Sequence, residues 1–148
     1  MIRRHIHELS GLEFDWLACD ADGFVAMLSS AGFGAVPEEA VATADALETA
    51  LDRIKLLPVT GEATSISGMT SPDDWIAAAR RGVFAFDWEH ARDRYRIEGL
   101  PSRAIRVDEI ADVALRDAVS RVRIPVVFSD VRWLDWDEAG KLSAGTEP

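Results

Sequence analysis

The chain has 148 residues, of which 48% are hydrophobic, as is typical of one globular domain with one core. Its formal net charge is −10, and residues 1–74 hold 13 of the 26 acidic side chains but only 4 of the 16 basic ones. So acidic a chain repels phosphate backbones, which argues against nucleic-acid binding. It also lacks the run of about 18 apolar residues that a membrane span needs.

The N-terminus and the cysteine content bear on location and cofactors. The basic residues near Met1 have no apolar stretch behind them, so they do not predict a secretory signal. Cys19 is the one cysteine, which excludes an internal disulfide and a zinc site built from several thiolates. We therefore expect a cytoplasmic protein that holds no metal and no cofactor.

Residues 14–30 predict a β-hairpin around which the rest of the chain is organised. Two apolar stretches flank Asp22-Gly23, a dipeptide typical of a two-residue hairpin turn. With that turn, Cys19 pairs with Ala26. Both stretches lack polar alternation, which indicates strands at the centre of a sheet that is covered on both faces.

Apolar periodicity and start and stop signals predict three helices, at 37–54, 75–81 and 109–122. Pro37 opens the first, Gly82 stops the second, and Asp108 serves as N-cap of the third. The small, polar residues 58–71 form the longest predicted loop.

The remaining apolar runs predict strands at 83–88, 92–97, 104–107 and 124–128. Residues 129–137 fit either a strand or a turn of helix, and 139–148 have the composition of a flexible tail. Because hairpins dominate and helices are inserted between them, we predict a single α+β domain over 1–138. Its sheet is mixed but mostly antiparallel, built from hairpins, with about three helices.

The segment Asp20-Ala21-Asp22-Gly23 resembles the first motif of haloacid-dehalogenase-type phosphatases. The resemblance implies a small magnesium-dependent phosphohydrolase, with Asp20 as nucleophile and Asp22 as acid/base. Phe24 stands where that family has threonine, and neither lysine of the chain lies where the family needs one. A plain hairpin turn with solvated carboxylates is therefore the favoured interpretation.

Two other chemistries find little support. His5 and His7 are two residues apart, so on a strand they would share one face and could bind a metal ion. Two surface histidines are the simpler interpretation. Cys19 lies among apolar residues, where burial raises the pKa of a thiol and makes it inert.

Two surface features could bind a protein partner. The first predicted helix carries acidic residues opposite its apolar stripe, and they suit a basic partner, although a solvated face is the default: Glu38, Asp45, Glu48 and Asp52. Near the C-terminus, Trp133 and Trp136 lie in an acidic segment. They predict either an aromatic anchor for a partner or packing of the last segment against the sheet.

Two stretches of the chain carry a second resemblance. The first runs from Phe14 through Asp20-Ala-Asp-Gly-Phe-Val-Ala-Met27, and the second is Gly82-Val-Phe-Ala-Phe-Asp-Trp88, followed by Tyr95, Pro101 and Ile105–Ile110. Together they are similar to small bacterial proteins that are candidate immunity proteins of polymorphic toxin systems. The resemblance implies a non-enzymatic protein that binds and blocks a toxin, and the acidic surface suits a basic target. The alternatives are the phosphohydrolase and an accessory or structural domain.

Overall fold

One curled sheet forms the framework of the described part of the chain. The computed structural model describes residues 15–30, 35–42, 44–66, 73–137 and 141–145. Within these residues seven strands pair in the order β1-β2-β4-β5-β6-β7, with β3 alongside β5. They are β1 Asp15–Cys19, β2 Val25–Ser29, β3 Ala63–Ser65, β4 Phe84–Glu89, β5 Arg94–Pro101, β6 Trp133–Trp136 and β7 Leu142–Ala144.

Four α-helices and two 3-10 helices accompany these strands in the described residues. They are α1 Glu38–Ala42, α2 Ala44–Ile54, α3 Asp73–Arg80, α4 Val113–Ser120, and the 3-10 helices Val107–Glu109 and Phe128–Asp130. The β2–β4 pair is parallel, and the other five strand pairs are antiparallel. The prediction of an α+β fold with a mostly antiparallel sheet is confirmed.

The two faces of the sheet have different coverings. Along β2, Met27 and Ser29 point towards α2 and α3, while Leu28 points to the opposite face. On that opposite face, the Trp16 indole N–H of β1 donates to the Tyr95 hydroxyl of β5 at 3.1 Å. Two strands separate β1 from β5, about 14 Å in a flat sheet. The sheet must therefore curl, and its concave face closes on its own aromatic side chains.

Tyr95 is the polar centre of this concave core. Burial raises the pKa of its hydroxyl, which stays protonated and donates to the carbonyl of Ala35 at 2.6 Å. Its ring meets Trp16 and Trp88 edge to face, with ring centroids 5.9 and 5.1 Å apart. The Tyr95 side chain thus links β1, β4 and the segment before α1, which are distant from one another in the chain.

The predicted hairpin of β1 and β2 exists, but its predicted register is wrong by one residue. Cys19 pairs with Val25 rather than with Ala26, so residues 20–24 connect the strands instead of a two-residue turn. The carboxylate of Asp20 causes the difference, because it accepts backbone N–H groups inside the loop. Both strands are buried throughout apart from Asp15. Only β2 has a strand on either side, so the prediction that both strands lie at the centre of the sheet is wrong for β1, which ends the sheet order of the described residues.

The helix predictions are confirmed in place and corrected at their ends. In the region 37–54, predicted as one helix, the described helical residues are those of α1 and α2, and residue 43 between them lies outside the described part of the chain. Gly82 follows α3 with φ +94, the left-handed conformation that stops a helix. The third helix begins later than predicted because Asp112, not Asp108, caps it and accepts the Leu115 N–H at 3.2 Å.

Three predicted segments take other conformations. Residues 124–128 form no strand; they follow a single bridge between Cys19 and Arg123 and lead into a 3-10 helix. Residues 104–107 contribute one bridge, from Arg106 to Phe24. The predicted loop 58–71 contains β3, and its residues 67–71 lie outside the described part of the chain.

The C-terminal segment adds two strands. The ambiguous stretch 129–137 ends one 3-10 helix and then forms β6. Leu142–Ala144, inside the segment predicted as a tail, form β7 against β6, and the side chain of Leu142 is buried. Three residues are too few to show a strand period in sequence, so the pattern gave no sign of β7.

Candidate functional site

Asp20 is a buried structural carboxylate, which corrects the expectation that both turn aspartates are solvated. Its side chain has no exposed surface. Its Oδ1 accepts the N–H groups of Asp22 at 3.0 Å and Phe24 at 2.8 Å, and its Oδ2 accepts the N–H of Phe128 at 2.9 Å. The carboxylate therefore shapes the loop and fastens it to a segment 108 residues further along the chain.

This geometry does not favour the phosphohydrolase interpretation. A nucleophilic carboxylate must reach phosphorus and a metal, whereas both oxygens of Asp20 are engaged inside the fold. Asp22 lies on the surface and does not share its environment. Within the described ranges, no three His, Cys, Asp or Glu side chains are grouped so that they could hold a metal ion. His5 and His7 lie outside those ranges.

The two tryptophans of β6 pack against the sheet instead of standing out from it. Trp133 is 6% exposed, and the guanidinium carbons of Arg92, Arg94 and Arg96 lie 5.4, 4.6 and 5.9 Å from its ring centroid. Arg94 is held in turn by Asp135 at 2.9 Å. Trp136 is half-buried. The structure therefore favours packing over the alternative of an exposed aromatic anchor.

The four acidic residues predicted to form one helix face are all exposed but divide into two groups. Glu38 lies on α1, and Asp45 lies in the first turn of α2. Glu48 and Asp52, further along α2, line a groove that neither of the other two reaches. Only this second pair takes part in a concave site.

The groove between α2 and α3, which we call the α2–α3 groove, has a volume of about 360 Å³. Its floor and walls are mostly apolar: Met27 and Ser29 of β2, Leu51 and Ile54 of α2, and Trp75, Ala77 and Ala78 of α3. Its rim is charged, with Asp15, Glu48, Asp52 and Asp74 against Lys55 and Arg81. Trp75 is half-buried and forms one wall.

The groove exists because the two helices cover different strands. Helix α2 packs on β1 and α4, while α3 packs on β3, β4 and β5, so the face of β2 lies between them. Arg81 braces the C-terminal end of α3 against the chain after α2, because its Nε donates to the carbonyl of Leu57 at 3.0 Å. Its Nη1 donates to the carbonyl of Ala77, also at 3.0 Å.

Three of the four carboxylates at the rim are available to a ligand. Glu48, Asp52 and Asp74 are exposed, and none forms an ion pair with another residue of the described chain. Arg81, by contrast, already donates to two carbonyls. An apolar floor beneath unpaired carboxylates is suited to a group that is both apolar and cationic.

A second depression, of about 510 Å³, surrounds the loop at residues 21–23. Three arginines line it together with three aspartates: Arg106, Arg116 and Arg123 against Asp22, Asp108 and Asp117. Two of these guanidinium groups donate to backbone carbonyls, and the third stacks on Phe24. Since its charges balance and its lining is open, this depression does not select a ligand by charge.

Comparison of the chain with protein-family models, with curated proteins and with solved structures finds no match. The helices of the described residues are all too short or too polar to cross a membrane. The chemistry of the α2–α3 groove therefore carries the functional conclusion.

Proposed function

We propose that this protein is a non-enzymatic binding module whose α2–α3 groove receives a basic, amphipathic segment of a protein partner. The observation that carries the proposal is a set of three exposed carboxylates around an apolar floor, Glu48, Asp52 and Asp74, which form no ion pair within the described residues. The net charge of −10 adds a long-range attraction for a basic partner. Charge complementarity speeds encounter and selects the partner, while burial of apolar side chains supplies affinity.

The size and lining of the groove support binding through a few side chains. Its volume of about 360 Å³ falls in the lower part of the range for ligand clefts, about 300–1,000 Å³. Trp75 and Leu51 offer partly exposed apolar walls, and Leu56, next to Lys55, is 80% exposed. An apolar anchor seated here would be surrounded by charged residues, the usual arrangement of an interface centre and its rim.

The resemblance to immunity proteins extends the proposal to a specific role. In that role the partner is a toxin with a basic surface, and the bound protein blocks it by occupying that surface. Catalysis by Asp20 and Asp22 is not favoured, because the Asp20 carboxylate is engaged by three backbone N–H groups. An accessory or structural domain is the other alternative, and it requires no basic partner at this groove.

The test is co-expression with the protein encoded next to this one, followed by calorimetry of the purified pair. We expect Glu48→Lys with Asp52→Lys to weaken the complex at least tenfold, because it reverses two charges at the rim. The matched control is Asp117→Lys with Asp130→Lys, which changes the net charge equally at exposed positions away from the groove.

The control should bind within about threefold of the wild type at 150 mM salt, where distant charges are screened. Equal losses in both variants would contradict binding at the groove. Unchanged affinity in the groove variant would do the same. The absence of any complex with the neighbouring protein would argue for the accessory-domain alternative.

A further inference from the structure

The C-terminal ends of α2 and α3 lie together at one end of the α2–α3 groove. Arg81, just after α3, donates to the carbonyl of Leu57, three residues after α2. The N–H groups of Thr60 and Gly61 donate to the carbonyl of Arg80 at 3.0 and 3.2 Å. The chain leaving α2 is therefore fastened to the last turn of α3.

This arrangement places the two cations of the rim at one end of the groove and two of its carboxylates at the other. Lys55 and Arg81 lie at the fastened end. Glu48 and Asp74 each precede one of these two cations by seven residues, and seven residues of α-helix span about 10 Å. The groove thus has a cationic end and an anionic end, with Asp52 close to the cationic one. Helix dipoles act in the opposite sense, with about half a negative charge at each of the two C-termini, so the end at Lys55 and Arg81 is the less negative of the two ends.

Apolar surface connects the two ends. Leu51 of α2 lies in sequence between Glu48 and Lys55, and Trp75 directly follows Asp74 on α3. The aliphatic stem of an arginine or lysine can lie along such a surface while its charged head reaches the carboxylates. An arginine can also stack its guanidinium on the indole of Trp75.

We infer that the α2–α3 groove is electrostatically polarised and holds a partner segment in one direction only. A long cationic side chain of the partner, arginine above all, lies between Glu48 and Asp74. Its stem crosses Leu51 and Trp75, and no second cation follows towards Lys55 and Arg81. This inference rests on the proposed function and adds the anchoring residue and the direction of the bound segment.

The test uses a matched pair of small probes, Nα-acetyl-arginine N-methylamide and the corresponding citrulline compound. Citrulline has the shape of arginine without its charge. We expect the arginine probe to shift the Trp75 indole N–H resonance saturably. The dissociation constant obtained from this shift should be at least fivefold lower for the arginine probe than for the citrulline probe. Comparison with Trp75→Phe assigns that resonance.

Single neutralising variants then test the polarity of the groove. Glu48→Gln and Asp74→Asn should each weaken the arginine probe about threefold or more. Asp52→Asn removes the same charge from the same groove beside Lys55, and it should change the affinity less than twofold. Thermal melts confirm that these variants of exposed residues remain folded.

Equal affinity for the two probes would overturn the cationic anchor, and a loss in Asp52→Asn as large as in Glu48→Gln would overturn the polarity. Neither result bears on the proposed function, which is tested separately by the effect of Glu48→Lys with Asp52→Lys on the protein complex. A binding module with an unpolarised groove would therefore be recognised as such.

Discussion

Replacing Asp20 with asparagine is the sharpest test of the loop on which the sheet is built. The amide keeps one oxygen, but its NH2 group must face either the N–H of Phe128 or the two N–H groups of Asp22 and Phe24. A buried donor left unsatisfied costs about 1–3 kcal/mol, and each hydrogen bond to a charged group contributes about 1.5–3 kcal/mol. Because neutralisation weakens the bonds that remain, we expect a loss of about 3–5 kcal/mol.

Urea unfolding followed by tryptophan fluorescence measures this loss as a lower midpoint at an unchanged slope. The control is Asp22→Asn in the same loop; that side chain is exposed, and the substitution should change the free energy of unfolding by no more than about 0.5 kcal/mol. If Asp20→Asn cost less than about 1 kcal/mol, the three hydrogen bonds would not be holding the loop. A phosphatase assay on the wild type and on Asp20→Asn, with magnesium present, tests the alternative function, and we expect no turnover that depends on Asp20.

Three further predictions concern stability. In urea unfolding, Gly82→Ala should lower the free energy of unfolding by at least about 1 kcal/mol more than Gly23→Ala does. Both glycines have positive φ, but a Cβ atom at Gly82 would lie 2.8 Å from a backbone nitrogen, whereas a Cβ atom at Gly23 would meet nothing within 4 Å. Equal costs would contradict this. Tyr95→Phe should lose about 1–3 kcal/mol, because an indole N–H loses its acceptor; an unchanged midpoint would rule out that role. A hydrogen bond from Arg53 lowers the pKa of Asp112 in the folded protein. The contribution of this bond to the stability of the fold is therefore fully present above the ordinary aspartate pKa of about 3.9, and it is lost as the pH falls through the lower pKa of the folded state. Asp112→Asn should therefore flatten the fall of the melting temperature below about pH 4, and an unchanged acid limb would contradict the coupling.

Local signals in the sequence placed most elements of this fold. The end of α3 follows from Gly82 and the start of α1 from Pro37, because each acts on the backbone of its own segment. The hairpin of β4 and β5 follows from alternating residues close together in the chain. The α+β class follows from the order of such elements and needs no knowledge of distant contacts.

Distant contacts decided the features that the sequence did not predict. The register of the first hairpin depends on Asp20, whose second oxygen is held by Phe128. An Asp-Gly dipeptide indicates a turn but cannot show that a carboxylate two residues earlier will take over the loop. The absence of a strand at 124–128 has the same origin, since this segment serves as the partner of the loop and of Cys19.

The sequence indicated the acidic residues on one side of the α2–α3 groove but not the wall formed by α3, because that wall also depends on contacts between distant parts of the chain. Periodicity placed Glu38, Asp45, Glu48 and Asp52 on one helical region, yet Trp75 and Asp74 join the site only because α3 covers the strands beyond β2. The groove therefore makes a different prediction from an acidic helix face. Neutralising Glu48 or Asp74 should weaken binding of the protein partner about threefold or more at 150 mM salt, whereas Asp45→Asn should leave it within about twofold. Equal effects of all three variants in calorimetry would show that general acidity drives recognition, and the groove would lose its role.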